Sequence, residues 1–216
     1  MHAMPRFFAA LFSRGVSLPA FLRVSGRSCL LLVPAVVLAG CASQPLLSFP
    51  PVAPADGSAA AAANRQLIED FYHAFQRHDG EAMAALYTAD AQFSDPAFPD
   101  LHGQQVGDMW RMLTGRAKNF SLVYDGVQAD AQTGEVHWVA TYTFSQTGRT
   151  VVNDVHTHFL FREGKIALEN DRWDMWHWSA QALGLKGSLL GWTPLLRNKV
   201  HEQAAAELAA FEAKRG

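Results

Sequence analysis

The chain has 216 residues, 49% of them hydrophobic and 18% charged, with 18 Lys and Arg against 20 Asp and Glu and a formal net charge of -2. This is enough apolar content for the core of one domain and too little for a multi-span membrane protein, and the charge gives no basic footprint for nucleic acid. The two cysteines, Cys29 and Cys41, both precede residue 42, which leaves the rest of the chain without a disulfide, a catalytic thiol or a Cys-type zinc site.

Arg14, Arg23 and Arg27 stand ahead of an apolar run at residues 30–39, with no acidic residue among them. A positive segment, a short apolar segment and small residues in that order read as an export signal. The run is shorter than the about 20 apolar residues a spanning helix needs. It ends in Leu38-Ala39-Gly40-Cys41, which resembles the bacterial lipobox, whose Cys becomes the lipidated first residue of the mature chain. Residues 1–40 are therefore read as a lipoprotein signal peptide and Cys41 as the membrane anchor, carrying lipid such as palmitate. A cleaved but unlipidated signal and an uncleaved one are the alternatives. Ala42 rather than Asp after the Cys resembles sorting to the periplasmic face of the outer membrane, which would make this a cell-envelope protein. Residues 1–27 are long for the positive segment, as a start at Val16 or Val24 would explain.

Residues 41–63 hold the lipidated Cys and an Ala-, Pro- and Ser-rich stretch with almost no charge, read as a tether. Leu67, Ile68, Phe71, Phe75, then Met83, Leu86 and Tyr87 recur at helical spacing around His78-Asp79-Gly80, which predicts helix, turn, helix. Residues 91–95 read as a short strand ended by Pro96, and residues 104–113 as a third helix. The period then drops to two. Residues 120–130, 135–145, 150–162 and 165–176 alternate and are rich in Val, Thr and aromatics, with Gly-containing turns between them, so a four-strand antiparallel meander follows the helices. Helix resumes after Trp178. Thr193-Pro194 opens a last helix over residues 193–211, with Leu196, Val200, Ala204, Leu208 and Phe211 on one stripe. The predicted class is α+β: a domain over 64–178 and a C-terminal helical extension over 179–216.

This order resembles the nuclear transport factor 2-like cone, a superfamily that includes ketosteroid isomerase and SnoaL-like cyclases. The likeness runs through Ala85 to Pro96, read as Ala-Leu-Tyr-x-x-Asp-Ala-x-x-x-Asp-Pro, and through His158-Phe159-Leu160-Phe161 followed by Gly164-Lys165-Ile166. The resemblance implies a proton-shuttling base at Asp95. It also puts Phe71 and Thr157 where the isomerase carries its oxyanion donors, a Tyr and a protonated Asp. Phe donates no hydrogen bond and Thr is the weaker donor, so steroid isomerisation is not expected while a pocket is. Tyr72, one residue on, points about 100° away from Phe71. Asp95 also has a plain reading, as a turn carboxylate capping backbone N–H groups.

Alternation puts Val136, Trp138, Ala140, Tyr142 and Phe144 on the inner face of one strand, and Val151, Val155, Thr157, Phe159 and Phe161 on that of the next. His137, Asp154, His156 and His158 then face outward. Three His could serve as metal ligands, yet nothing fixes a fourth ligand, so no metal site is assigned and the outer face is read as exposed or dimer-forming. On the last strand the resemblance puts Glu169, Asp171 and Trp173 inside, whereas burial preference puts Ile166 and Leu168 there. Only a bulge reconciles the two. Inward carboxylates would have raised pKa values and could work as acids or bases; outward ones would be surface charges paired with Arg172 or Lys165. His102, ahead of Gly103, can reach the cone mouth or stay a loop His.

Two functions remain open. One is acid/base catalysis without cofactor on a small, largely apolar molecule, of isomerase, cyclase or hydrolase type, by Asp95 with Asp171 or Glu169, and Phe71, Tyr72, His102, Trp138, Tyr142, Thr157 and Trp173 as ligand contacts. The other is a non-catalytic module that binds a ligand or partner in the envelope.

Overall fold

The computed structural model describes residues 57–215; the segments read as export signal and as tether up to residue 56, with Cys41, lie outside the described residues. Ser58 caps α1 (Ala59–Gln76), accepting from the Ala61 N–H at 3.1 Å. The alanine run at 59–63 therefore belongs to the first helix. Asp79 caps α2 (Gly80–Ala85), and β1 (Tyr87–Ser94), β2 (Leu101–His102) and α3 (Gln104–Arg116) follow. The meander is β3 (Ser121–Ala129), β4 (Thr133–Phe144), β5 (Arg149–Arg162) and β6 (Lys165–Arg172). Three helices close the chain: α4 (Met175–Leu183), α5 (Leu185–Leu190) and α6 (Pro194–Glu212).

The sheet has the order β2-β1-β6-β5-β4-β3, antiparallel except where β1 lies parallel to β6. It is curved and unclosed, helped by a register shift in β3 between Asp125 and Gln128, where Gly126 takes φ +65°. α1 and α3 fill the concave side. Ile68, Phe71, Met109, Val155, Phe159 and Ile166 are each 1% exposed or less and belong to one core, which holds the curvature by packing rather than by cross-links.

The conflict in the last strand resolves through a bulge. Phe161 pairs with Ile166 but Leu160 pairs with Leu168, so Ala167 is an extra residue in β6. Ile166 faces the core before it, and Glu169 and Asp171 face the core after it. Strand β6 stops at Arg172, short of the expected 176, because Asp174 accepts from the N–H groups of Trp176 and His177 and starts α4.

At the other end, Thr193 caps α6 and Pro194 occupies its first turn. Leu208 is buried, with Leu196, Val200, Ala204 and Phe211 half-buried on the same stripe. The helix lies against α3 and is fastened by ion pairs of Arg116 with Glu207 at 3.0 Å and of Arg215 with Glu81 and Asp108.

Candidate functional site

A cavity of about 260 Å³, partly open to solvent, lies between the concave sheet face, α3, α4 and α6, and its walls are mostly apolar. Asp95 and Asp171 both line it, with Trp138, Tyr142, Trp173 and Trp178. Arg116 and Glu207, the ion pair that fastens α6, also line it.

Asp95 follows β1. Its Oδ1 accepts from the N–H groups of Ala97, at 2.7 Å, and Phe98; its Oδ2 accepts from Trp173 Nε1 at 3.2 Å. It is thus a turn cap and a cavity group at once. Burial pushes its pKa up to about 6, against the pull of those three donors.

Asp171 is fixed through Thr157. The Thr157 hydroxyl accepts from Trp138 Nε1 at 2.8 Å and from Tyr72 Oη at 3.3 Å, so its own proton goes to Asp171 Oδ1 at 2.5 Å. Burial raises Asp171 to about 8, with the charge of Asp95 adding to it and Thr157 opposing. Glu169 stands behind, fully buried. It accepts from Tyr87 Oη, which itself accepts from Trp110 Nε1 at 2.7 Å. Its Oε1 has no hydrogen-bond partner, and burial, then the charge of Asp171, holds its pKa well above the carboxylate range. At neutral pH, Asp95 is mostly ionised while Asp171 and Glu169 keep their protons.

The remaining candidates divide by position. Trp138, Tyr142 and Trp173 are on the cavity wall; Tyr142 accepts from Trp178 Nε1 at 2.8 Å, and burial lifts its hydroxyl to about 12. Thr157 and Tyr72 are buried behind the wall and act on Asp171. Phe71 is the centre of an aromatic cluster with Tyr72, Tyr87, Trp110 and Phe159 and does not line the cavity. His102 does not reach it. It lies exposed on β2, its Nε2 2.7 Å from Asp100, because pairing with Gln92 holds that segment at the sheet edge.

Helical spacing reads Tyr87 into the second helix, but α2 ends at Ala85 and Tyr87 opens β1; a buried Tyr hydroxyl needs a partner, and that requirement was the available signal for its link to Glu169. On the outer face, donor atoms of His137, Asp154 and His156 lie within 4.8 Å of one another. His137 bridges Asp125 at 3.1 Å and Asp154 at 3.0 Å. Partial burial lowers its pKa, but the two carboxylate bonds outweigh that and the net shift is upward, as for an ion-paired imidazolium.

Residues 68–169 match the SnoaL-like domain family. In fold, the chain is SnoaL-like. Among solved structures it is similar to a hypothetical protein from Catenulispora acidiphila with a ketosteroid isomerase-like fold, in complex with trimethylamine. That match has 17% identity and a TM-score of 0.51, covering 60% of this chain and 98% of the other. A putative polyketide cyclase from Xanthomonas campestris pv. campestris matches at 19% identity and a TM-score of 0.50, over 57% of this chain and 99% of the other. An LEH-like epoxide hydrolase from M. tuberculosis matches at 20% and 0.49, over 63% and 96%. No curated protein matches the sequence. At these identities the SnoaL-like likeness establishes the architecture and leaves the reaction to the side chains.

Proposed function

We propose that this chain is a cell-envelope lipoprotein whose SnoaL-like domain binds a small, largely apolar molecule and performs cofactor-free acid/base chemistry on it, of isomerase, cyclase or hydrolase type. The reading is carried by one observation. Asp95 and Asp171 line the same apolar cavity, with pKa values of about 6 and about 8, so at neutral pH one can accept a proton and the other can donate one. Carboxyls whose environments separate their pKa values are how a single site supplies both an acid and a base. In this reading, Asp95 removes a proton from a carbon acid or a water. Asp171 protonates the oxygen on which charge develops, and burial, with the charge of Asp95, holds its proton until then.

The test is turnover of enolisable ketones, polyketide-like chains and epoxides by the wild type and Asp95→Asn. The expected pH profile is a bell with limbs near the two pKa values, abolished in the variant. Flat pH dependence, or equal turnover in the variant, refutes the assignment.

A second reading is a non-catalytic binding module. It is favoured by the donors: Phe71 has none, and the one proton of Thr157 is committed to Asp171. Ligand binding with no turnover by the wild type would decide for it. The envelope location rests on Leu38-Ala39-Gly40-Cys41 following an apolar run. Cys41→Ser should release the protein from the membrane fraction, and unchanged association without a mass shift on the N-terminal peptide refutes lipidation.

A further inference from the structure

Residues 175–201 contain Lys186, Arg197 and Lys199 and no Asp or Glu. Six large apolar side chains of this stretch stand in solvent: Trp176 at 51% exposure, Leu185 at 75%, Leu189 at 63%, Leu190 at 42%, Trp192 at 62% and Leu195 at 67%. Only three other large hydrophobic residues among those described are exposed. An apolar concentration of this kind marks an interaction surface.

The backbone enforces the exposure. Helix α5 packs on α4 through glycine: a Cβ at Gly187 would lie 1.7 Å from the Ser179 carbonyl oxygen, and one at Gly191 would lie 2.7 Å from the Trp176 ring. The inner positions are thereby closed to larger side chains, and the leucines of α5 are turned outward. The two indoles are held by their polar edges, Trp176 Nε1 donating to Ser188 O at 2.9 Å and Trp192 Nε1 to Leu189 O at 3.1 Å. Their ring bodies are left for an apolar environment.

The composition identifies the occupant. Leucine and tryptophan flanked by Lys and Arg, with acidic residues excluded, suit the boundary between acyl chains and anionic headgroups. Acidic residues resume only at Glu202, which pairs with Lys199 at the border of the patch. We propose that the α4–α5 turn and the first residues of α6 form a docking surface that seats the domain on an anionic phospholipid bilayer. The surface belongs to the folded domain and does not depend on Cys41. If Cys41 is lipidated, the 17 residues from it to Ser58 keep the domain within about 60 Å of the membrane at full extension. Helix α4 would then separate bilayer from cavity, since Trp178 lines the cavity and Trp176 stands on the docking surface.

The test uses the compact unit Phe49–Gly216, which contains the whole core and lacks both Cys41 and the apolar run before it. The unit is floated with vesicles of phosphatidylglycerol and phosphatidylethanolamine, and separately with phosphatidylcholine alone. It should float with the anionic vesicles, less with the neutral ones, and less at about 0.5 M salt. Leu189→Glu with Trp192→Glu should lower the partition coefficient about 10-fold or more with an unchanged melting temperature, because both side chains are exposed. Absence of flotation, or flotation indifferent to the double variant, overturns the proposal. So does a dimer that the variant dissociates without any lipid binding, which would make the patch a contact between two copies. None of these outcomes depends on turnover or on lipidation, so failure here is separate from failure of the proposed function.

Discussion

Replacing Asp171 with Asn gives a direct reading of the protons stored in the core. Folding carries this carboxyl from an ordinary value of 3.8 to about 8, so between those values the folded state holds a proton that the unfolded state releases. A group raised in this way contributes stability that is complete below its unfolded pKa and is lost as pH climbs toward its folded one. Across the window from about pH 5 to about pH 7, the slope is about 1.4 kcal/mol per pH unit for one such group, or about 3 kcal/mol in all. Glu169 is raised also and adds a fall of the same sign. Wild-type stability measured by urea unfolding should therefore drop from pH 5 to pH 7, and Asp171→Asn should drop less steeply by about 1.4 kcal/mol per unit. The amide still accepts from Thr157, so the fold survives the change. Parallel slopes in the two proteins, or wild-type stability that rises with pH, would refute the account.

Asp95→Asn should raise stability at neutral pH, because it removes a charge that burial disfavours while its carbonyl still caps Ala97 and Phe98, and Asp95→Ala should be about 1 kcal/mol less stable than Asp95→Asn through the lost cap; thermal melts decide. Both changes should lower any turnover by about 10²-fold or more. Thr157→Val leaves Trp138 Nε1–H and Asp171 Oδ1 without their partner and should cost at least about 2 kcal/mol by chemical denaturation. Removing residues 193–216 exposes Leu208 and the half-buried side chains beside it, a loss of about 4 kcal/mol on transfer arguments, and takes Glu207 from the cavity wall. An unchanged melting temperature would show α6 to be an independent tail. A direct assay on an unsaturated ketosteroid should find negligible isomerisation, and turnover near that of dedicated isomerases would show that Phe71 and Thr157 are not the residues at the donor positions.

The meander was legible because period-two alternation, broken at Gly134, Gly148 and Gly164, leaves little freedom in register. The faces of β4 and β5 followed from it. Strand β6 was not, since alternation through Ile166, Leu168 and Glu169 gives a single answer only when every residue is paired. Asp95 looked like a choice between cap and pocket residue because sequence treats these as alternatives. The structure gives one oxygen to each. Tyr72 sits about 100° around the helix from Phe71, yet its ring is long enough to bring the hydroxyl to Thr157. The start of α4 was hidden because Trp173, Asp174, Met175 and Trp176 alternate like a strand, although Asp174 was a visible N-cap. Thr193-Pro194 had no such competitor, and α6 begins where it was expected.

The extra residue at Ala167 makes the location of the acids a matter of pairing. The identities of Glu169 and Asp171 do not decide which side of the sheet they occupy; whether Ala167 is bulged or paired does. Were Ala167 paired opposite Leu160 instead of bulging, the chain would keep every chemical group and send both carboxyls to solvent, bringing Leu168 and Asn170 inside, whereas deleting Ala167 would let Leu168 follow Ile166 in regular alternation and leave both carboxyls inward. A relative in which this residue is paired cannot be assumed to share the site merely because the same acids align. A variant without Ala167 should accordingly keep its pH-dependent stability, and losing it would show that the two halves of the strand do not join in this register.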